Sequence, residues 1–184
     1  MSSAIIDVNR PAPISKWDHR FLQLAKTVSE WSKDPSTRCG AVIVRPDKTV
    51  ASMGFNGFPR GCQDDAELYA DRDLKYSRVI HAEVNAVLNA YERVQGYTLY
   101  SWPPGMAPTC DRCATVVIQS GIARVVYCYQ ENEFAKRWQP ERALKMYREA
   151  GVTVSAYPLD FIFPPPVELL SGCDDCDDLE GCGC

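Results

Sequence analysis

The sequence predicts a mixed α/β domain in which helices cover both faces of a mixed sheet of about five strands. Three observations lead to it. The chain has 184 residues, the usual size of one domain; segments of helical and strand period alternate along most of it; and one short hairpin precedes that alternation. Residues 1–14 read as an irregular N-terminal arm holding Pro11 and Pro13, 15–157 as the domain, and 158–184 as an irregular C-terminal extension.

Ser15 is suited to N-cap a first helix running to about Lys33, with Trp17, Phe21, Leu24, Ala25, Val28 and Trp31 at helical spacing, and Asp34-Pro35 to end it. Cys39 to Val44 and Thr49 to Phe55 read as hairpin strands around a turn at Pro46-Asp47-Lys48. From Asn56 to Tyr76 no period is sustained, so this stretch is expected to be a long functional loop with one short helix. The regular pattern then returns. A helix is expected over Ala82 to Val94, a strand over Tyr97 to Trp102, and a Pro-rich loop to Thr109. There follow a helix from Asp111 to Gln119 stopped by Gly121, a strand Arg124 to Tyr127, a helix Pro140 to Ala150 stopped by Gly151, and a strand Val152 to Ser155. The last two strands should run parallel, joined by a helical crossover. Pro158 to Pro166 reads as irregular, and Ser171 to Cys184 as a tail of Gly, Asp and Cys.

Hydrophobic residues make up 46% and charged ones 24%, a globular balance that excludes collagen-like, coiled-coil and wholly disordered classes. No apolar run approaches the ~18 residues of a membrane span, and the first residues lack a signal pattern, so a cytoplasmic location is expected. The net charge of −4 owes most to the segment Cys173 to Cys184, which holds five acids and no base. Without those five, the 24 acidic residues become 19 against 20 basic ones, a nearly neutral body that makes a long nucleic acid an unsuitable partner and a small substrate the better one.

Nine cysteines, an odd number without a secretory signal, point to metal rather than a disulfide framework. The sharpest pattern is His81-Ala82-Glu83 at the start of one helix and Cys110-Asp111-Arg112-Cys113 at the start of the next. Residues i and i+3 share a helix face, so Cys110 and Cys113 can present two sulfurs to one ion at about 2.3 Å, and His81 a nitrogen at about 2.0 Å. Helix N-termini favour thiolates. Three protein ligands would leave one tetrahedral position for water, and Glu83 is placed to take its proton. A lone C-x-x-C also serves structural zinc or redox pairs; its combination with His81 and Glu83 is what points to catalysis. His19 sits in the first amphipathic helix, where a packed or solvated role suits it.

The H-A-E and C-x-x-C pair resembles the zinc-dependent cytidine deaminase superfamily. Further stretches narrow this: Asp34-Pro35-Ser36-Thr37, Gly40-Ala41-Val42-Ile43-Val44, Gly54-Phe55-Asn56-Gly57-Phe58-Pro59, Gly61-Cys62-Gln63-Asp64-Asp65, His81 to Val87, and Gln119-Ser120-Gly121-Ile122. Together, over about Trp17 to Val154, they look like the deoxycytidylate (dCMP) deaminase family. The resemblance implies a cytidine deaminase-like three-layer α/β/α fold, Zn²⁺ as cofactor, and hydrolysis at C4 of cytosine with Glu83 moving protons to N3 and the leaving amine. It also implies that Asn56 hydrogen-bonds substrate, that the Gly40-Ala41 backbone lines the base pocket, and that the chain forms a homo-oligomer responding to dCTP and dTTP through the Gly57 to Asp65 loop. Two departures are visible. Thr109 stands where the family carries proline before the first cysteine, and Pro103 to Ala107 is longer than the usual connection.

A 5′-phosphate would need cationic partners, for which Arg38, Arg60, Arg72, Arg78 and Arg112 are the candidates. In the tail, Cys173, Cys176, Cys182 and Cys184 could hold a second zinc as four thiolates; the same composition equally suits a flexible acidic tail. The expected activity is deamination of dCMP to dUMP. The alternatives are deamination of another nucleobase or nucleoside, or of a tRNA adenosine, and, from a different class, a non-catalytic zinc-binding regulatory protein, which would give Glu83 no task.

Overall fold

A computed structural model describes residues 14–131, 136 and 139–164. The N-terminal arm before residue 14 and the four tail cysteines lie outside the described residues. Among the described residues, five strands form one mixed sheet in the order β2-β1-β3-β4-β5. They are β1 (Gly40–Val44), β2 (Val50–Phe55), β3 (Thr98–Gly105), β4 (Arg124–Tyr129) and β5 (Thr153–Pro158). The hairpin β1–β2 and the pair β1–β3 are antiparallel, while β3–β4 and β4–β5 are parallel. The parallel pairs need crossovers. These are supplied by α4 (Asp111–Gln119) and α5 (Pro140–Glu149).

Strand β1 is buried along its whole length because both its faces are covered. Its alternating side chains enter two separate cores. Val42 and Val44 join Phe21, Leu22, Ala25 and Val28 of α1 (Lys16–Ser29) on one side. Ala41 and Ile43 join Ala82 and Ala86 of α3 (Ala82–Leu88), with Ala114, Val117 and Tyr147 from α4 and α5, on the other. The molecule is thus a three-layer α/β/α fold with the expected mixed five-stranded sheet.

The first helix is capped by Ser15, whose hydroxyl accepts from the Asp18 N–H at 3.0 Å. It ends at Ser29 and not near Lys33. Beyond it Trp31, which continues the helical spacing, turns 53% of its surface outward and meets Phe55 edge-on. Ser32 donates instead to the Asn56 carbonyl at 2.8 Å and so serves a loop of the site. The long stretch from Asn56 to Tyr76 holds two helical segments where one was expected: a 3-10 turn (Ala66–Tyr69) and α2 (Arg72–Arg78), which Asp71 caps by accepting from the Leu74 N–H.

Helix α3 stops at Leu88, six residues short of the expected end at Val94. The apolar residues that prolonged the pattern, Leu88 and Tyr91, are exposed, and Asn89 closes the helix by donating to the Met53 carbonyl at 3.0 Å. Strand β3 runs on through Pro103 and Pro104 to Gly105. Prolines fit there because pairing with β1 ends at Trp102, so no neighbour on that side requires their missing N–H. The expected irregular stretch from Pro158 instead opens with the last residue of β5 and a short helix, α6 (Leu159–Ile162). No described helix is long and apolar enough to cross a membrane.

On the α1 side, a buried charge ties the layers together. Asp18 receives both Arg124 guanidinium nitrogens at 2.9 Å, the Tyr100 hydroxyl at 2.7 Å and the Tyr157 hydroxyl at 3.0 Å. Burial alone would raise its pKa, but the hydrogen bonds from Arg124 and the tyrosines, with the Arg124 charge, outweigh it and hold the carboxyl below its usual range. The stability this contributes is therefore fully present above about pH 4 and is lost as pH falls through the depressed folded value. Replacement of Asp18 by Ala should cost about 3 kcal/mol in urea unfolding at pH 7, and much less near pH 2, since it removes one partner of a buried pair. Equal losses at the two pH values would contradict this account.

Candidate active site

Helix α3 is held unusually close to β2. A Cβ on Gly54 would collide with the Ala82 and Ala86 backbone, so only glycine lets the helix lie there. Three side-chain bonds fasten the contact: Ser52 to the Ala86 carbonyl at 2.7 Å, Asn85 to the Phe55 carbonyl at 2.8 Å, and Asn89 to Met53. At its N-terminus Ile80 forms a β-bridge with Gly57, with bonds of 2.9 and 3.2 Å, and the next residue, His81, is the N-cap. Cys110 takes the same place on α4, its sulfur accepting from the Cys113 N–H at 3.4 Å.

These two helix starts converge. His81 Nδ1 lies 3.4 Å from Cys110 Sγ and 3.2 Å from Cys113 Sγ, and the three donor atoms all fall within 4.8 Å of one another. Tetrahedral zinc with its ordinary bond lengths separates nitrogen and sulfur ligands by ~3.5 Å, so the set fits that ion with only a small relaxation. One histidine and two cysteines are also a donor set suited to zinc. Hydrogen bonding from Cys113, together with His81 beside it, draws the Cys110 thiol down to about 4, while donation to Cys110 and burial drive Cys113 upward. His81 is raised, chiefly by its hydrogen bond with Cys110. A metal would replace these shared protons.

Glu83 sits one residue into α3, almost wholly buried, and burial raises its pKa against the opposing pull of His81. Together with His81 and Cys110 it lines a cavity of about 480 Å³. One wall is the segment Trp102 to Thr109, the Pro-rich end of β3 and the loop after it; another comes from α2 and Tyr69.

The structure places the remaining expected residues unequally. Asn56 lines the cavity, but its amide bonds inward: Oδ1 accepts from the Cys39 N–H at 2.7 Å, and Nδ2 donates to the Thr37 carbonyl at 2.9 Å and to Asp34 at 3.2 Å. Ala41 is fully buried in the core, and Cys39 is the residue of that strand's entry that borders the cavity. Of the five arginines, Arg72 alone lies on the cavity wall, its guanidinium 3.2 Å from the Tyr76 hydroxyl.

Lys75, which sequence reasoning passed over, and Asp34, which it read as a helix stop and as the start of a family-like stretch, organise this wall. Lys75 of α2 reaches across to Asp34, with Nζ 2.7 and 2.8 Å from the two carboxylate oxygens and 2.6 Å from Ser36. Asp34 also accepts from the Ser36 and Thr37 N–H groups at 2.9 and 3.1 Å. Burial works to raise its pKa, and the bonds from Lys75 and Ser36 prevail and lower it. The Asp71 cap was the available signal for α2, and hence for Lys75 on its inner side.

Comparison with known proteins agrees with this geometry. The profile of the cytidine and deoxycytidylate deaminase zinc-binding region matches residues 15–129. An uncharacterized deaminase encoded in the luxG 3′ region of Aliivibrio fischeri is 42% identical over 152 residues, covering 81% of this chain and 99% of that one. Deoxycytidylate deaminase of Mus musculus is 33% identical over 144 residues, covering 75% and 78%. The crystal structure of the dCMP deaminase from cyanophage S-TIM5 in complex with dCMP and dUMP superposes with a TM-score of 0.58 at 19% identity, over 80% of this chain and 99% of that one. Fold and triad define a zinc-binding deaminase, a hydrolase. The chain belongs to the cytidine and deoxycytidylate deaminase family, and Zn²⁺ is its cofactor, with His81, Cys110 and Cys113 as the cluster that fits it.

Replacing Cys110 by Ser or His81 by Ala should remove zinc from the purified protein, read by elemental analysis, since neither replacement offers an equivalent donor. Full zinc occupancy in both variants would rule out this cluster.

Proposed function

We propose that the chain hydrolyses dCMP to dUMP and ammonia. The observation that carries this reading is that one cavity is lined by His81 and Cys110 of the zinc cluster, by Glu83 and by the cationic Arg72. The cluster with Glu83 suits an amine to be hydrolysed, and Arg72 an anionic phosphate. That the relatives at 33% identity are deoxycytidylate deaminases, and that the phage enzyme was captured with dCMP and dUMP, supports the same substrate class.

His81, Cys110 and Cys113 would hold the zinc, which when bound would supply an acidified water. Glu83 would take the two protons of that water in turn and deliver one to N3 and the other to the departing amine. Overall, water adds at C4, the bond between C4 and N4 breaks, and C4 keeps the oxygen. Burial raises the proton affinity of the Glu83 carboxyl, which suits it to accept a proton in this task. The narrow connection between Lys75 and Asp34 holds Ser36, Thr37 and Asn56 in place along the wall. Asn56 meets substrate with the acceptor capacity left on Oδ1, since its amide hydrogens are committed. Arg72 reads the 5′-phosphate.

The experiment is an ammonia-release screen of cytosine, cytidine, deoxycytidine, dCMP and dCTP with guanine and adenine compounds alongside. dCMP should give the highest kcat/KM; a purine or an unphosphorylated compound in first place would overturn the assignment. Substitution of Glu83 by Ala should keep zinc and lower turnover at least about 100-fold. Turnover within a few fold of the unchanged enzyme would remove Glu83 from the proton path.

Arg72→Ala should raise KM for dCMP about tenfold while leaving deoxycytidine kinetics alone, as expected for a charged hydrogen bond to phosphate. An equal change for both substrates would show that Arg72 does not read the phosphate.

A further inference from the structure

Tyr147 lies fully buried on α5, inside the core on the zinc side of the sheet, and is not among the residues around the cavity. A phenylalanine would fill the same space among Ala114, Val117 and Ala143, so packing gives no reason for a hydroxyl there. That hydroxyl is 2.9 Å from Thr109 Oγ1. Thr109, itself buried, immediately precedes the first cysteine, and its hydroxyl donates to the Cys110 carbonyl at 3.0 Å. The same carbonyl accepts the Ala114 N–H at 3.0 Å, the first backbone bond of α4.

Proton counting fixes the direction of the chain. A threonine hydroxyl has one hydrogen, and here it goes to the Cys110 carbonyl, so the Tyr147 hydroxyl must be the donor to Thr109. Apart from the approach of its sulfur to His81, Cys110 is held on the side of its own helix, by the Ala114 and Cys113 N–H groups. The link through Thr109 is what connects its peptide to α5, the neighbouring helix of the same layer.

We infer that Tyr147 and Thr109 form a hydroxyl relay that fixes the Cys110 peptide and thereby aims its sulfur at the zinc, making both positioning residues for a metal ligand. The relay makes zinc affinity depend on where α5 sits, although α5 contributes no ligand. Groups that orient metal ligands without touching the metal commonly tune affinity in this way.

The test measures zinc affinity of the full chain by competition with a chromophoric chelator, with no substrate present, so its outcome is independent of whether dCMP is the substrate. Tyr147→Phe and Thr109→Val should each weaken zinc binding about two- to tenfold, the usual effect of losing one buried hydrogen bond. The double variant should lose no more than the stronger single one, because both act through one chain of bonds. Thr109→Ser, which keeps the hydroxyl, should bind zinc as the unchanged protein does. If Tyr147→Phe fails to fold, the Ser and Val variants at position 109 decide the matter. Zinc affinity within twofold in Thr109→Val, or losses in the double variant that multiply, would overturn the relay.

Discussion

The site depends on one constraint: two helix starts from different parts of the chain must arrive within bonding distance of a single point. His81 and Cys110 are both N-caps, so each ligand is placed by the helix that follows it rather than by a loose loop. For α3 this precision comes from the side, through the absence of a side chain at Gly54 and the bonds from Ser52, Asn85 and Asn89. For α4 it comes from packing against α3 and α5 over the shared core. Nothing near the metal position has to be rigid on its own account. Stiffness is inherited from a strand edge and from a helix layer.

The cavity wall solves a different problem. Residues 34–39 lead into β1 without regular pairing, with Asp34 the buried one among them, and every inward polar group there has to find a partner. Asp34 answers for most of them, binding two N–H groups, a hydroxyl, the Asn56 amide and the Lys75 ammonium. A carboxylate so placed would be costly alone; with Lys75 beside it, the pair becomes a fastening between the loop and α2. The same bonds explain why Asn56, although on the cavity wall, has little hydrogen-bonding capacity left to offer a ligand.

What could be read from the sequence divides along physical lines. The ligand cluster was legible because its members are close in sequence within two short motifs and because few residue types bind zinc. Helix α4 was read to its ends, since Cys110 begins it and Gly121, at φ +83°, follows its stop. Helix α3 was overread because Leu88 and Tyr91 keep helical spacing without having a core to face, and exposure is a tertiary property. The Asp34 hub was invisible for the opposite reason. Its partners Asn56 and Lys75 stand 22 and 41 residues away, and no local pattern joins them. Asp34-Pro35 was accordingly read as punctuation after a helix, which gave no hint of its buried carboxylate.

Strand β1, like β3 and β4, sends alternate side chains into two cores on opposite faces of the sheet. Val42 and Val44 belong with α1, and Ala41 and Ile43 with the helices that carry the ligands. Such a partition insulates chemistry from upkeep. A substitution facing α1 is felt in that core before it reaches the metal layer, although both faces are tightly drawn: a Cβ on Gly40 would strike the α1 backbone as one on Gly54 would strike α3.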